Sequence, residues 1–251
     1  MEKAKKKLAA SLEKEKELGE LKSRFVATAS HQFRTPLTVI QSSMGLLSMQ
    51  IDSMDSFNEM DIDLKQKFEK VYHRVKGQIE RMTSLMNDVL ILGKINAGSI
   101  QPVLIPTNLI LICKEIARTY NETQKDGRKV KIKIHGKSRQ IKLDTKLMDH
   151  AISNLVSNAF KYSLNRPAPE ITISFYDKKV DVLVKDSGMG IPEKDIRLLF
   201  EPFYRASNVS EISGTGLGTT IAKEYIELNN GSISGKRQFG KGTEFIIKFN
   251  Q

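Results

Sequence analysis

Asn154-Leu155-Val156-Ser157-Asn158-Ala159-Phe160-Lys161-Tyr162 places Asn154, Asn158 and Lys161 on one helical face, at spacings of four and three. A helix that serves only as packing has no use for two amides and an amine in one row, whereas a magnesium-phosphate site does. The pattern around residues 145 to 162 is helical, and helical periodicity returns at 218 to 229. Around these helices Val130 to Ile134, Ile171 to Tyr176, Val180 to Lys185, Gly231 to Gly235 and Thr243 to Phe249 read as strands. Strands alternating with helices predict a sheet layered on helices, an α/β sandwich.

Three glycine-rich turns interrupt that region. Asp186-Ser187-Gly188-Met189-Gly190 follows a strand, so its carboxylate lies at a strand end beside a tight turn. Gly214-Thr215-Gly216-Leu217-Gly218 opens a helix, presenting backbone N–H groups and the positive end of the dipole to phosphate. Gly240-Lys241-Gly242-Thr243 precedes the last strand. One such loop alone is a weak sign; the ordered set is a strong one.

The first hundred residues follow a different rule. Leu18, Leu21, Phe25 and Thr28 step by 3, 4 and 3, and Leu37, Ile40, Met44, Leu47 and Ile51 by 3, 4, 3 and 4, a narrow heptad-like stripe. Residues 53 to 62 lose the pattern and read as a loop, after which a second stripe runs from Leu64 through Phe68, Val71 and Val75 to Leu92. The result is an antiparallel helical hairpin. One narrow stripe per helix is buried best by pairing with a second copy, so a homodimer with a dimeric four-helix bundle is expected. Leu8 and Leu12 sit one position out of register, a stutter in a coiled coil feeding the hairpin. Composition changes near Ala97-Gly98, with Pro102 and Pro106 beyond. The chain thus divides into a coiled-coil helix at 1–22, a helical domain at 23–100 and the sandwich at 101–251.

Inside the first long helix lies Ser30-His31-Gln32-Phe33-Arg34-Thr35-Pro36-Leu37. His31 falls outside the stripe and is expected to face solvent. Pro36 removes the donor that would bond to Gln32, one turn back, and so bends the helix just past the histidine. Neutral imidazole, with a pKa near ~6.5, is a competent nucleophile at cytoplasmic pH. His73, His135 and His150 have no comparable setting.

Composition fits a folded chain of 251 residues, 39% apolar, with one cysteine, Cys113. That cysteine makes neither an intrachain disulfide nor a zinc cluster, which suits a reducing, cytoplasmic compartment. The longest apolar runs, such as Leu109 to Cys113, fall far short of the roughly 20 residues that span a bilayer, so no membrane contact is expected. Of the net charge of +11, most comes from residues 125 to 146, with nine Lys/Arg against two Asp. The alternation from Lys129 to Ile134 reads as a solvated strand face, and no aromatic residue interleaves the lysines, so no nucleic-acid partner is expected.

Taken in order, these motifs resemble those of sensor histidine kinases. His31-Gln32-Phe33-Arg34-Thr35-Pro36-Leu37 is similar to the family's phosphoacceptor box, and the later segments to its Bergerat ATP-binding fold, from about Leu21 to Phe249. Phe200-Glu201-Pro202-Phe203-Tyr204-Arg205 resembles the aromatic box before the family's ATP lid, here about residues 205 to 215. The resemblance implies ATP and Mg²⁺ as ligands. By it Asn158 coordinates Mg²⁺ with Asn154 beside it, Lys161 meets phosphate oxygens, Tyr162 packs against adenine and Asp186 accepts from the adenine amino group. Gly188 and Gly190 give close backbone approach to the base, and Thr243 lines the adenine pocket. Arg205 and the loop of Gly214, Thr215, Gly216, Leu217 and Gly218 hold the phosphates. His31 takes the γ-phosphoryl group and passes it to an aspartate of a response regulator receiver domain.

One position departs from the family. Most members carry Glu or Asp directly after the phosphoacceptor, where this chain has Gln32. Gln32 accepts a hydrogen bond but cannot be a general base, a loss that typically costs on the order of 10²- to 10⁴-fold, so a slow autokinase is expected. Thr35 is placed to orient water in the family's phosphatase reaction. Hydrolytic motors of the same fold use a glutamate one turn before the metal-binding Asn; here that residue is Asn154, which cannot deprotonate water. A scaffold that binds nucleotide without transferring it has little need of Asn158, Lys161 and the lid glycines together.

Overall fold

The computed structural model describes residues 33–47, 49, 62–124, 126–209, 212, 214–238 and 242–250. The chain divides into two compact units, Met1–Leu90 and Ile91–Gln251. The coiled-coil start, His31, Gln32 and nearly all of the expected 53–62 loop lie outside the described residues.

In the first unit helix α1 covers residues 33–47, and helix α2, Ile62–Asn96, starts at the last residue of the expected loop and continues past the unit's end at Leu90. The covered face of α1 differs from the expected stripe. Pro36 and Ser43 are buried, with Ile40 and Leu47 half-buried, whereas Leu37 and Met44 are 45% and 54% exposed. On α2 Val71 and Leu85 are buried but Ile79 is 51% exposed. Each helix therefore leaves part of its apolar stripe open in the single chain.

The second unit runs β1 (Ile105–Thr107), α3 (Leu109–Thr123), β2 (Lys131–His135), β3 (Ile141–Leu143), α4 (Thr145–Tyr162), β4 (Glu170–Tyr176) and β5 (Lys179–Lys185). A 3-10 turn (Glu193–Leu198), α5 (Gly218–Leu228), β6 (Gly231–Gln238) and β7 (Gly242–Asn250) complete it. Five strands form one sheet in the order β2-β4-β5-β7-β6, with β2 parallel to β4 and the other pairs antiparallel, while β1 and β3 form a separate antiparallel pair. Burial alternates along β4 and β5, so Ile171, Ile173, Val182 and Val184 enter the core with α3, α4 and α5. The opposite face carries charge pairs, Lys133–Glu170 at 2.7 Å and Lys185–Glu244 at 2.8 Å.

Helix α3 and the short strands β1 and β3 have no counterpart in the sequence reading. The apolar run from Leu109 to Cys113 opens α3, and Leu109, Ile112, Cys113, Ile116 and Ala117 are its buried face. Asn108 caps it, its side chain accepting from Ile110 N at 3.1 Å. Burial pushes the Cys113 thiol up to about 12, which makes it a core group rather than a reactive one. Helix α4 is capped by Asp144, which accepts from the backbone of Lys146 and Leu147 at 3.0 and 3.1 Å. It contacts both α3 and α5, and its Ile152, Leu155 and Val156 are wholly buried.

Candidate active site

On α4 the polar row stands beside that buried face: Asn154, Asn158 and Lys161 are half-buried, one face serving the core and the other left for chemistry. At the end of β5 the chain turns at Asp186, which is only 5% exposed. Its Oδ1 accepts from the N–H groups of Gly188 at 2.7 Å and Thr243 at 3.2 Å. Burial pushes this carboxyl above the ordinary carboxylate range, against the pull of those donors. The turn is fastened to α4, since Met189 N donates to Tyr162 O at 3.3 Å. A Cβ on Gly188 would stand 2.1 Å from that same oxygen, so only glycine fits. Strand β7 closes the other side: Asp186 N donates to Thr243 O at 3.0 Å, and a Cβ on Gly242 would meet Asp186 O at 2.0 Å.

The Gly214–Gly218 loop comes over the polar row. A Cβ at Gly214 would lie 2.5 Å from Lys161 Nζ, and one at Gly218 would lie 3.8 Å from Asn154 Cγ. Lys161 Nζ stands 5.1 Å from the centre of the Tyr162 ring. Helix α5 begins at Gly218 without a side-chain cap on its first turn, and Thr215 Oγ1 accepts from Leu217 N at 3.3 Å. Leu217 is wholly buried, and its carbonyl accepts from Ile221 N at 2.9 Å as the first turn of α5. Arg205 donates to the carbonyls of Val209 and Ile212, in the segment before this loop. Thr35 is exposed on α1, in the other unit.

Four further residues, not singled out in the sequence, hold this loop system in place. Asn208 Nδ2 donates to the carbonyl of Gly190 at 2.9 Å, tying the Asp186 turn to the segment after Arg205. Thr219 and Thr220 donate to the carbonyls of Leu199 and Phe200 at 2.8 and 2.9 Å, anchoring the aromatic box on α5. Asp195 accepts from Ser207 N at 2.7 Å and Ser207 Oγ at 3.0 Å. The Ser207 amide leads the hydrogen bonds that keep the Asp195 carboxyl below its ordinary range. The pairing of Thr219 with Thr220 directly after Gly218 is the one local signal that marks any of these four.

The donor set fits a nucleotide. An uncapped helix N-terminus beside a lysine is a cradle for polyphosphate. A buried carboxylate at the end of a strand, between Tyr162 and Thr243, provides an oriented acceptor for a base. Among the described residues no three His, Cys, Asp or Glu side chains cluster to hold a metal ion. The amide oxygens of Asn154 and Asn158 are hard ligands of the kind magnesium takes together with phosphate.

Comparison with known proteins agrees with this geometry. Residues 143–251 match the family of histidine kinase-, DNA gyrase B- and HSP90-like ATPases, and residues 21–98 match the His kinase A phospho-acceptor domain. Over 228 residues, 89% of the chain, the sequence is 30% identical to the sensor protein kinase WalK of Staphylococcus saprophyticus, and it spans about a third (35%) of that relative's length. The histidine kinase AdeS of Acinetobacter baumannii has the same fold, with a TM-score of 0.63 at 22% identity over 88% of this chain and 97% of that one. Histidine kinase ThkA, solved in complex with the response regulator protein TrrA, gives a TM-score of 0.65 at 21% identity over 95% of this chain and 63% of that one. With a phospho-acceptor domain followed by an ATPase domain, each matched in its own right, the chain belongs to the sensor histidine kinases of two-component systems.

Proposed function

We propose that this chain is an ATP-dependent protein histidine autokinase, acting in the cytoplasm, that phosphorylates His31 and passes the phosphoryl group to an aspartate of a response regulator receiver domain. The observation that carries this reading is the convergence of Asn154 and Lys161 under the Gly214–Gly218 loop, with buried Asp186 at the end of β5 opening a turn that is bonded to Tyr162 O at the end of α4. ATP bound with Mg²⁺ supplies the γ-phosphoryl group. Asp186 accepts from the adenine amino group, Gly188 and Gly190 let the backbone approach the base, Tyr162 packs against it and Thr243 lines its pocket. Asn158, with Asn154 beside it, holds the cation. Lys161, Arg205 and the backbone of Gly214, Thr215, Gly216, Leu217 and Gly218 neutralise the phosphates. His31 is the nucleophile, and Gln32 orients its ring through the amide oxygen. Transfer of this kind depends mostly on positioning and charge neutralisation, which these groups provide.

In this reading the acceptor domain occupies 23–100 and the ATP-binding domain 101–251. A homodimer through the hairpin accounts for the exposure of Leu37, Met44 and Ile79, which a second copy covers as a four-helix bundle.

The test is incubation with Mg²⁺ and γ-labelled ATP. A phosphoprotein that is acid-labile and base-stable is expected. Release of labelled phosphate with no labelled protein identifies a hydrolytic motor instead, and nucleotide binding with neither product a scaffold. Restoring the acidic neighbour by Gln32→Glu is expected to speed single-turnover labelling at least about tenfold, a fraction of what a general base contributes. A Gln32→Glu variant no faster than the parent removes Gln32 as the cause of slow transfer.

A further inference from the structure

We propose that Arg128, which lies outside the nucleotide site, is a positioning residue for it: by gripping the last turn of α4 it sets the places of Lys161, Tyr162 and the Gly188 turn. This rests on the ATP-binding reading of the site. Helix α4 ends at Tyr162; Ser163 follows with φ −121° and ψ 37°, and the chain turns left-handed only at Asn165, where Arg166 N donates to Ser163 O at 3.1 Å, so this turn does not reach the Phe160 carbonyl. Arg128 reaches both carbonyls from the loop between α3 and β2. Its Nη1 donates to Ser163 O at 2.7 Å and to Ser163 Oγ at 3.0 Å, and its Nη2 donates to Phe160 O at 3.3 Å. The guanidinium lies 5.0 Å from the centre of the Phe160 ring, which stacks at 5.7 Å on Tyr120 of α3. A cation at this end of a helix also complements its dipole.

Arg128 is itself fixed. Its Nε donates to Asp126 Oδ2 at 2.6 Å and its backbone N–H to Asp126 Oδ1 at 3.0 Å, and the side chain is only 13% exposed. Ser163, 1% exposed, is tied back into the helix through Oγ to Ala159 O at 2.6 Å. The turn 159–163 is therefore gripped on one side by a planar fork. Residues of that same turn make the contacts of the site: Tyr162 O receives Met189 N and abuts Gly188, while Lys161 Nζ lies over the Tyr162 ring against Gly214. If the turn frays, base pocket and phosphate cradle shift together. Lysine cannot replace the fork, because one ammonium does not span Phe160 O and Ser163 O as a guanidinium does.

The experiment measures, for the parent, Arg128→Lys and Arg128→Met, the dissociation constant of Mg-ATP by calorimetry, the melting temperature without nucleotide, and hydrogen exchange at the Met189 amide. Losing charged hydrogen bonds of this kind is expected to raise the dissociation constant about tenfold in Arg128→Met and less in Arg128→Lys, with Met189 exchange accelerated in both. Arg128→Lys keeps the charge and serves alone if the methionine variant does not fold. Variants that melt lower yet keep the parental affinity and the parental Met189 exchange reduce Arg128 to a cap of the fold and overturn the proposal. If the parent itself binds no ATP, the ATP-binding reading fails instead, and Met189 exchange alone then decides whether Arg128 governs this turn.

Discussion

Asp186→Asn is expected to weaken ATP binding about 100-fold, as removal of a buried charged acceptor that leaves the base's amino group facing another donor does. The same change is expected to leave the melting temperature of the nucleotide-free protein unchanged or higher. Asparagine keeps an oxygen for the N–H groups of Gly188 and Thr243, which Asp186 Oδ1 now holds at 2.7 and 3.2 Å. What it loses is the charge, and burial already penalises that charge by raising the carboxyl above its ordinary range. The sign follows from proton binding. With a folded pKa above the unfolded value near ~3.9, the folded chain holds the proton more tightly, so stability falls as pH rises through that interval and stays lower above it. At neutral pH the carboxylate is therefore a cost to the fold that asparagine removes. Calorimetric titration with Mg-ATP, together with thermal melts at pH 5 and pH 7, checks both halves. A variant that melts lower and binds ATP normally contradicts the assignment of Asp186 to the base.

His31→Ala is expected to eliminate the acid-labile phosphoprotein altogether while leaving Mg-ATP affinity at the parental value. The nucleophile forms the new bond, and no neighbouring group substitutes for its lone pair. Separation of the two readouts is the point of the experiment, because acceptor and ATP-binding residues belong to different units of the chain. His73 is the internal control: it is an exposed histidine of α2, edge-on to Tyr72 at 5.7 Å, and His73→Ala should label as the parent does. Label that survives His31→Ala and disappears in His73→Ala would move the acceptor to the second helix.

How much was legible in the sequence depended on how local the signal was. Helix α4 is bounded at Thr145 and Tyr162 as its periodicity predicts, and the five strands of the main sheet fall where alternation placed them. Strands β1 and β3 have three residues each, too few for a period to register, and β1 includes Pro106. The apolar start of α3 was visible as a run, but its helical face is recognisable only when Ile116 and Ala117 are taken with Asn108 as the cap. On α1 the heptad rule chose Leu37 and Met44, whereas Pro36 and Ser43 are the buried positions, one residue earlier in each case. In the candidate site, glycines and amides at fixed spacing could be read directly. Arg128, Asp195 and Asn208 could not, since their partners include backbone groups distant in sequence: Phe160 O, Ser207 N and Gly190 O.

Helix α4 gives Leu155 and Val156 to the core and, in the function proposed above, the neighbouring Asn154 and Asn158 to the nucleotide, so occupancy and folding would share one element. Ligand present at a hundred times its dissociation constant adds about 2.7 kcal/mol to the folded state. With ATP as that ligand, the cell's energy charge would act on how much of this protein survives proteolysis. Core lesions that are silent in growing cells would surface as lost protein when ATP runs down.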